Sequence, residues 1–169
     1  FIQDTDSVSL AFLQEVIDVN MAIAEEGLRK DYGLHVGRGI IRNEKGSLIG
    51  RDIANTASFT TAAAVDARMA GCTKAVMSVA GSGNQGLTAT IPVIVTANAI
   101  GSSTDKLYRS LALSILITIH AKQYIGRLSV LCGCSIASAI GVGGAMVFIY
   151  GGTLKNVYAS VRTMTADIS

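Results

Sequence analysis

The chain has 169 residues; half are apolar, 15% are charged, and it contains 18 Gly, one Pro and no Trp. That length suits one domain able to bury a sizeable core. A formal net charge of +2 excludes a strongly basic nucleic-acid binder and an acidic disordered tail.

The predicted elements run as follows. Asp6-Ser7, followed by Val8, Leu10, Leu13, Val16 and Ile17 at helical spacing, predicts a long helix to about Lys30, with Asp4, Asp6 and Ser7 at its start and Arg29-Lys30 at its end. Asp31 to Gly50 is rich in glycine and charge and predicts an irregular connection with room for a short hairpin. Small, uniform residues predict a helix over about Ile53–Met69, stopped by Gly71. Thr73–Ala80 reads as a buried strand or an extended loop. The loop Gly81-Ser-Gly-Asn-Gln-Gly86 follows, then a helix over about Leu87–Ile100, with Pro92 tolerable in the first turn or at a kink. Ser102-Ser-Thr-Asp105 predicts a capping box opening a helix to about Tyr124, broken by Gly126. Leu128–Tyr150 predicts an apolar helix stopped by Gly151-Gly152, and Thr153 caps a last amphipathic helix. The fold class expected is all-α, a compact bundle of about six helices with Gly-rich loops, as one domain over residues 1–169.

Charge is unevenly spread. Residues 1–74 carry 18 of the 26 charged side chains, and Ala75–Thr104 and Leu128–Leu154 carry none. Such segments belong in a core, an oligomer interface or a membrane. Both exceed the length that spans a bilayer. The first is interrupted by Asn84, Gln85, Pro92 and Asn98, the second is dominated by Gly, Ala, Ser and Cys, and neither has flanking Trp. They are expected to be central helices of a bundle rather than membrane spans. A requirement for detergent would favour the membrane reading. Three cysteines, Cys72, Cys132 and Cys134, are odd in number and set in apolar sequence, which is no secreted disulfide framework and points to a reducing cytoplasm. The chain starts at Phe1 without a signal-peptide pattern and stops at Ser169, so a fragment of a longer, self-associating protein is expected.

Gly81–Gly86 spells GxGxxG, and Asp105 lies 19 residues beyond it, as in a dinucleotide fingerprint. That reading fails, because Asp105 opens a helix where a second strand should end, and strands do not alternate with helices elsewhere. A smaller claim survives. Glycines at a helix N-terminus expose N–H groups to a carboxylate or phosphate, and Ser82, Asn84 and Gln85 add neutral polar contacts suited to an amino acid. A plain helix cap explains the same residues equally well. Cys132-Gly-Cys134 offers soft ligands, but two positions apart on a helix they diverge by about 200°. Two buried small hydrophobes are the plainer reading. Lys122 and Arg127 flank Gly126 and could hold a substrate carboxylate or simply complement a helix dipole. His120 on an apolar face reads more simply as a core residue than as a catalytic one. There is no zinc spacing, Ser-His-Asp order or EF-hand loop.

Three strings carry a resemblance: Gly81-Ser-Gly-Asn-Gln-Gly-Leu-Thr-Ala-Thr-Ile-Pro, Leu111-Ala-Leu-Ser, and Tyr124-Ile-Gly-Arg-Leu-Ser-Val-Leu-Cys-Gly-Cys. The whole chain resembles the L-cysteine desulfidase family, a group related to the α chain of iron–sulfur L-serine dehydratase. The resemblance implies the serine dehydratase α-chain fold and a pyridoxal-independent β-elimination of L-cysteine or L-serine to pyruvate and ammonia, with release of sulfide or water. It implies a 4Fe-4S cluster held by three cysteines, with one iron open as a Lewis acid. Carried over by motif, Cys132 is the expected cluster ligand and Cys134 the second choice. Ser82, Gly83, Asn84 and Gln85 are expected in the substrate pocket, and Lys122 and Arg127 are expected to be catalytic. The remaining cluster cysteines are expected outside this chain. The expected partner is a small amino-acid substrate, with no nucleic acid and no membrane. The rival reading is a non-catalytic small-molecule-binding or scaffold protein that keeps the fold without the cluster.

Overall fold

A computed structural model describes residues 2–43, 52–126, 130 and 132–168. Among these are seven α-helices, one short 3-10 turn and no strand: α1 (Leu13–Arg29), α2 (Val36–Asn43), α3 (Ile53–Met69), α4 (Gly83–Ala99), α5 (Thr104–Ile125), α6 (Gly133–Ile149) and α7 (Leu154–Ile168). The all-α expectation is met.

Helix α4 occupies the centre. Twelve of its 17 residues are buried, and it has no charged residue, so it needs neighbours on every side. α1, α3, α5 and α6 supply them, while α2 lies on α3 and α7 on α6. One apolar cluster joins Leu13 and Val16 of α1 to Val93 and Ile94 of α4 and Leu111 of α5; a second joins Ile23, Ala64, Leu87 and Ile91. Helices approach closely where side chains are small. A Cβ on Gly27 would overlap the Ala63 carbonyl, and one on Gly141 would overlap the Thr118 hydroxyl.

One polar residue of the core positions the site. Asn20 is fully buried; its Nδ2 donates to Thr90 Oγ1 at 2.9 Å, and its Oδ1 accepts the Met77 N–H at 2.9 Å. It thereby fastens the extended segment before Gly81 to α1 and α4.

The structure departs from expectation in several places. The first helix is broken into a 3-10 turn, Ser7–Leu10, and α1 proper. α2 lies where an irregular connection was expected. Its N-terminal Gly37 N–H donates to Asp66 Oδ2 at 3.0 Å, and a Cβ on Gly37 would stand 2.5 Å from the Ala63 amide nitrogen. The glycine is there for close packing and does not break the helix. Thr73–Ala80 is extended, with a single isolated bridge between Val79 and Ser82. α4 starts four residues before the expected Leu87, which leaves Pro92 mid-helix and the Thr88 carbonyl without its usual N–H partner. The α5 cap is Ser103, whose side chain accepts the Lys106 N–H; Asp105 instead pairs with Arg109 at 2.8 Å. Gly126 at φ 89° ends α5, and Thr153 accepts the Asn156 N–H ahead of α7, both as expected. The two uncharged stretches contain α4 and α6, each 17 residues long. Among the described residues, Ser7–Arg29 is the one helical stretch with the length and apolar character to cross a membrane, and a third of it is buried inside the fold.

Candidate functional site

Two helix N-termini and one helix C-terminus meet at the site. The first N-terminus is that of α4. Val79 and Ser82 exchange backbone hydrogen bonds at 3.2 and 3.1 Å around a tight turn, with Ala80 at φ 49° and Gly81 at φ 80°. Both central residues are left-handed, as a type I′ turn requires. Ala80 is not glycine and stores on the order of 1 kcal/mol of strain there. Ser82 caps α4, its Oγ accepting the Gln85 N–H at 3.3 Å. Gly86 lies on the Met77 carbonyl, so the loop is pressed against the extended segment.

The four loop residues expected in a substrate pocket are thus at one helix end, but they do different things. Ser82 is a cap. Gly83 leaves room for Arg68, whose Nε would stand 2.6 Å from a Cβ there. Asn84 is held from outside: Arg68 Nη1 donates to its Oδ1 at 2.8 Å. Gln85 points inward, 1% exposed, and neither its Oε1 nor its Nε2 has a hydrogen-bond partner. Two unpaired buried amide atoms cost about 1–3 kcal/mol each, so Gln85 is an unusual side chain to bury without a ligand.

The second N-terminus belongs to α6. Cys132 is its cap in extended conformation (φ −69°, ψ 102°), with Gly133 the first helical residue. This overturns the expectation that Cys132 and Cys134 diverge. That expectation holds only if both lie on the helix; here Cys132 lies before it, and the two sulfurs are 2.8 Å apart. The Cys134 thiol and the N–H groups of Ser135 and Cys134 turn toward the Cys132 sulfur and hold its pKa below the usual thiol value. Burial and the neighbouring Cys132 push Cys134 up to about 11. The pair is therefore arranged as thiolate acceptor and thiol donor, and Cys132 is the exposed member.

Lys122, one turn before the end of α5, completes the group. A Cβ on Gly133 would stand 2.6 Å from Lys122 Nζ and 3.0 Å from Gln85 Oε1, so both gather over one glycine. No carboxylate among the described residues lies within ion-pair distance of Lys122. Its positive charge also acts on Cys134, favouring the thiolate. The helices are tied together by Ser138 Oγ, 3.3 Å from the Gln85 carbonyl, and by the Thr88 hydroxyl, 2.8 Å from the Cys134 carbonyl.

The structure thus brings together Ser82, Gly83, Asn84, Gln85, Lys122, Cys132 and Cys134. Arg127 lies outside the described residues. His120, read from sequence as a core residue, is exposed and meets the Tyr124 ring edge-on at 5.2 Å between centroids. Sequence reasoning missed Arg68, Thr88, Gly133 and Ser138. Only Gly133 carried a local signal, a glycine set between two cysteines; the others act across distant segments.

Two cavities flank the site. The smaller, about 350 Å³, opens between Ala80-Gly81 and Ile119, Lys122, Gln123 and Gly126. The larger, about 1100 Å³, is an apolar groove between α3 and the α4–α6 pair, with Ala57, Thr61, Ala62, Pro92, Ser138 and Tyr150 among its walls.

For an iron–sulfur cluster the donor set fits in part. Two thiols, one biased toward thiolate, present soft ligands at a helix N-terminus. Among the described residues no group of three or more His, Cys, Asp or Glu is placed to hold a metal. Cys72, the remaining cysteine, follows the end of α3, and its side chain pairs with the Tyr32 hydroxyl.

The family model described as the serine dehydratase alpha chain matches residues 2–169. A UPF0597 protein of Clostridium perfringens is 41% identical over 169 residues, which is all of this chain and 40% of that protein. A UPF0597 protein of Oleidesulfovibrio alaskensis is 44% identical over 161 residues, covering 95% of this chain and 37% of its own length. A third, from Clostridioides difficile, is 38% identical over 168 residues, or 99% and 39% of the two chains. The chain spans about 40% of the length of the curated relatives it matches. No solved structure matches.

Proposed function

Because the chain belongs to the serine dehydratase alpha chain family, we propose that it is part of an iron–sulfur lyase. The lyase removes sulfide from L-cysteine, or water from L-serine, to give pyruvate and ammonia. The observation that carries this reading is the meeting of the paired thiols of Cys132 and Cys134 with Lys122 and the unpaired Gln85 amide around Gly133.

In this reading Cys132, with Cys134 as the second choice, would hold a cluster together with cysteines from elsewhere in the protein. When bound, the cluster supplies a Lewis acid for the leaving group on Cβ. The chain's own residues do the rest. The N–H groups at the start of α6 stabilise the Cys132 thiolate as a ligand. Ser82 fixes the first turn of α4, and Arg68 fixes Asn84, so the polar side chains of the loop are set before substrate arrives. The overall change is balanced by loss of the α-proton to a base and of the β-substituent with its bonding pair; the resulting enamine then hydrolyses.

The test is anaerobic reconstitution of the protein at its full native length with iron and sulfide, followed by assay of pyruvate from L-cysteine and from L-serine. A visible iron–sulfur absorption with turnover of either substrate is the expected result. Cluster formation without product from either one overturns the lyase reading and leaves the non-catalytic alternative.

A further inference from the structure

We infer that the small cavity beside Gly81 admits a small organic carboxylate, and that Lys122 binds its carboxylate group with Gln85 as the second contact. This deepens the lyase reading by naming the substrate's point of attachment, and only the choice of L-serine as probe rests on that reading.

Five observations point the same way. The cavity is about 350 Å³, and among the described residues Lys122 is its one charged wall residue. Ala80, Gly81 and Ile119 leave the rest of the wall small or apolar, so the site suits one negative charge on a compact molecule and offers little to a phosphate. Lys122 Nζ and the Gln85 amide converge on the same point above Gly133, and with the amide turned so that Nε2 takes the place of Oε1, a ligand oxygen on the ammonium has an N–H donor as its neighbour. Gln85 is buried with both polar atoms unpaired, and a carboxylate would accept from its amide nitrogen. The N-terminus of α6 adds positive potential from below.

This role differs from proton transfer. An ammonium that holds a carboxylate acts equally on bound substrate and on the transition state, so its loss raises KM more than it lowers kcat. The large groove reaches the site at Cys134 but is not the carboxylate pocket: its walls carry Asp52 and Asp66 and no cation among the described residues.

The experiment uses the whole chain without iron and follows binding of L-serine, pyruvate and ethanolamine by calorimetry. Ethanolamine is L-serine without its carboxylate. The wild type should bind L-serine and pyruvate and not ethanolamine. Lys122→Met should weaken both carboxylates by about tenfold or more, with the helical circular dichroism and melting temperature unchanged. Ala62→Leu, in the large groove, should leave both affinities as they were. The inference is overturned if the wild type binds neither carboxylate, if Lys122→Met binds them as tightly as wild type, or if Ala62→Leu weakens them as much as Lys122→Met does. The two readings separate cleanly. Lys122-dependent binding in a reconstituted protein with no turnover sinks the lyase and keeps the carboxylate site. Turnover that Lys122→Met leaves at wild-type KM sinks the carboxylate site and keeps the lyase.

Discussion

The two cavities flank the same cluster of helix ends, yet they share no lining residue and are chemically unlike. The groove is about three times larger, and its lining is mostly alanine, proline and other apolar residues from the sides of α3, α4 and α6. The small cavity lies at helix ends, next to Lys122 and the Gly81 turn. Volume arises where apolar helix sides lack cover. Chemistry arises where helices end, because free N–H groups, caps and charged last turns collect there. A single turn of α4 serves both: Thr88 faces the groove, while Gln85 faces Lys122 and Gly133.

The largest effect should come from the support beneath the site. Gly86→Ala places a methyl group on the Met77 backbone carbonyl, which has no flexible end to yield. We expect about 3 kcal/mol of destabilisation, measured by urea or thermal unfolding. Ala at this position with wild-type stability would show that the extended segment is not pressed against α4. Next is Asn20→Leu. It removes the acceptor of the Met77 N–H and the donor to Thr90, leaving buried groups unpaired. The expected loss is about 2 kcal/mol. Because the same segment leads into Gly81, carboxylate binding should weaken as well.

How far the site could be read from sequence follows from what each contact depends on. Helix ends set by local signals were legible: Gly126 after α5, Gly151 after α6 and Thr153 before α7 all stand where expected. So were Gly81–Gly86 and Cys132-Gly-Cys134 as candidates, since both are compact motifs. Their arrangement was not. The segment Asp31 to Gly50 reads as an irregular connection because the reason for Gly37 is Ala63, 26 residues away on α3. The cysteine pair was read as divergent because its geometry depends on where α6 begins, and a helix boundary shifted by one or two residues changes which side chains meet. Arg68 and Ser138 gave no local sign, since each acts on a partner in another helix.

Gly133→Ala sharpens the contrast between packing and binding. Its Cβ would meet the far end of the flexible Lys122 side chain rather than backbone. The ammonium should swing aside at a cost in stability below about 1 kcal/mol, while carboxylate affinity falls by about fivefold. If stability collapses instead, Lys122 is wedged in place and the site is a packing feature.

The smallest effect is predicted in the larger of the two cavities. Ala62→Leu adds apolar volume to the groove wall, where a partly exposed alanine already faces open space. Nothing there must move, so stability should stay within about 0.5 kcal/mol of wild type. Carboxylate affinity should not change, because Ala62 lines the groove alone and the two cavities share no lining residue. Unfolding and calorimetric titration of this variant check both statements. An effect on binding as large as that of Gly133→Ala would mean that the two cavities act as one, and that the ligand reaches Lys122 along α3 rather than past Gly81.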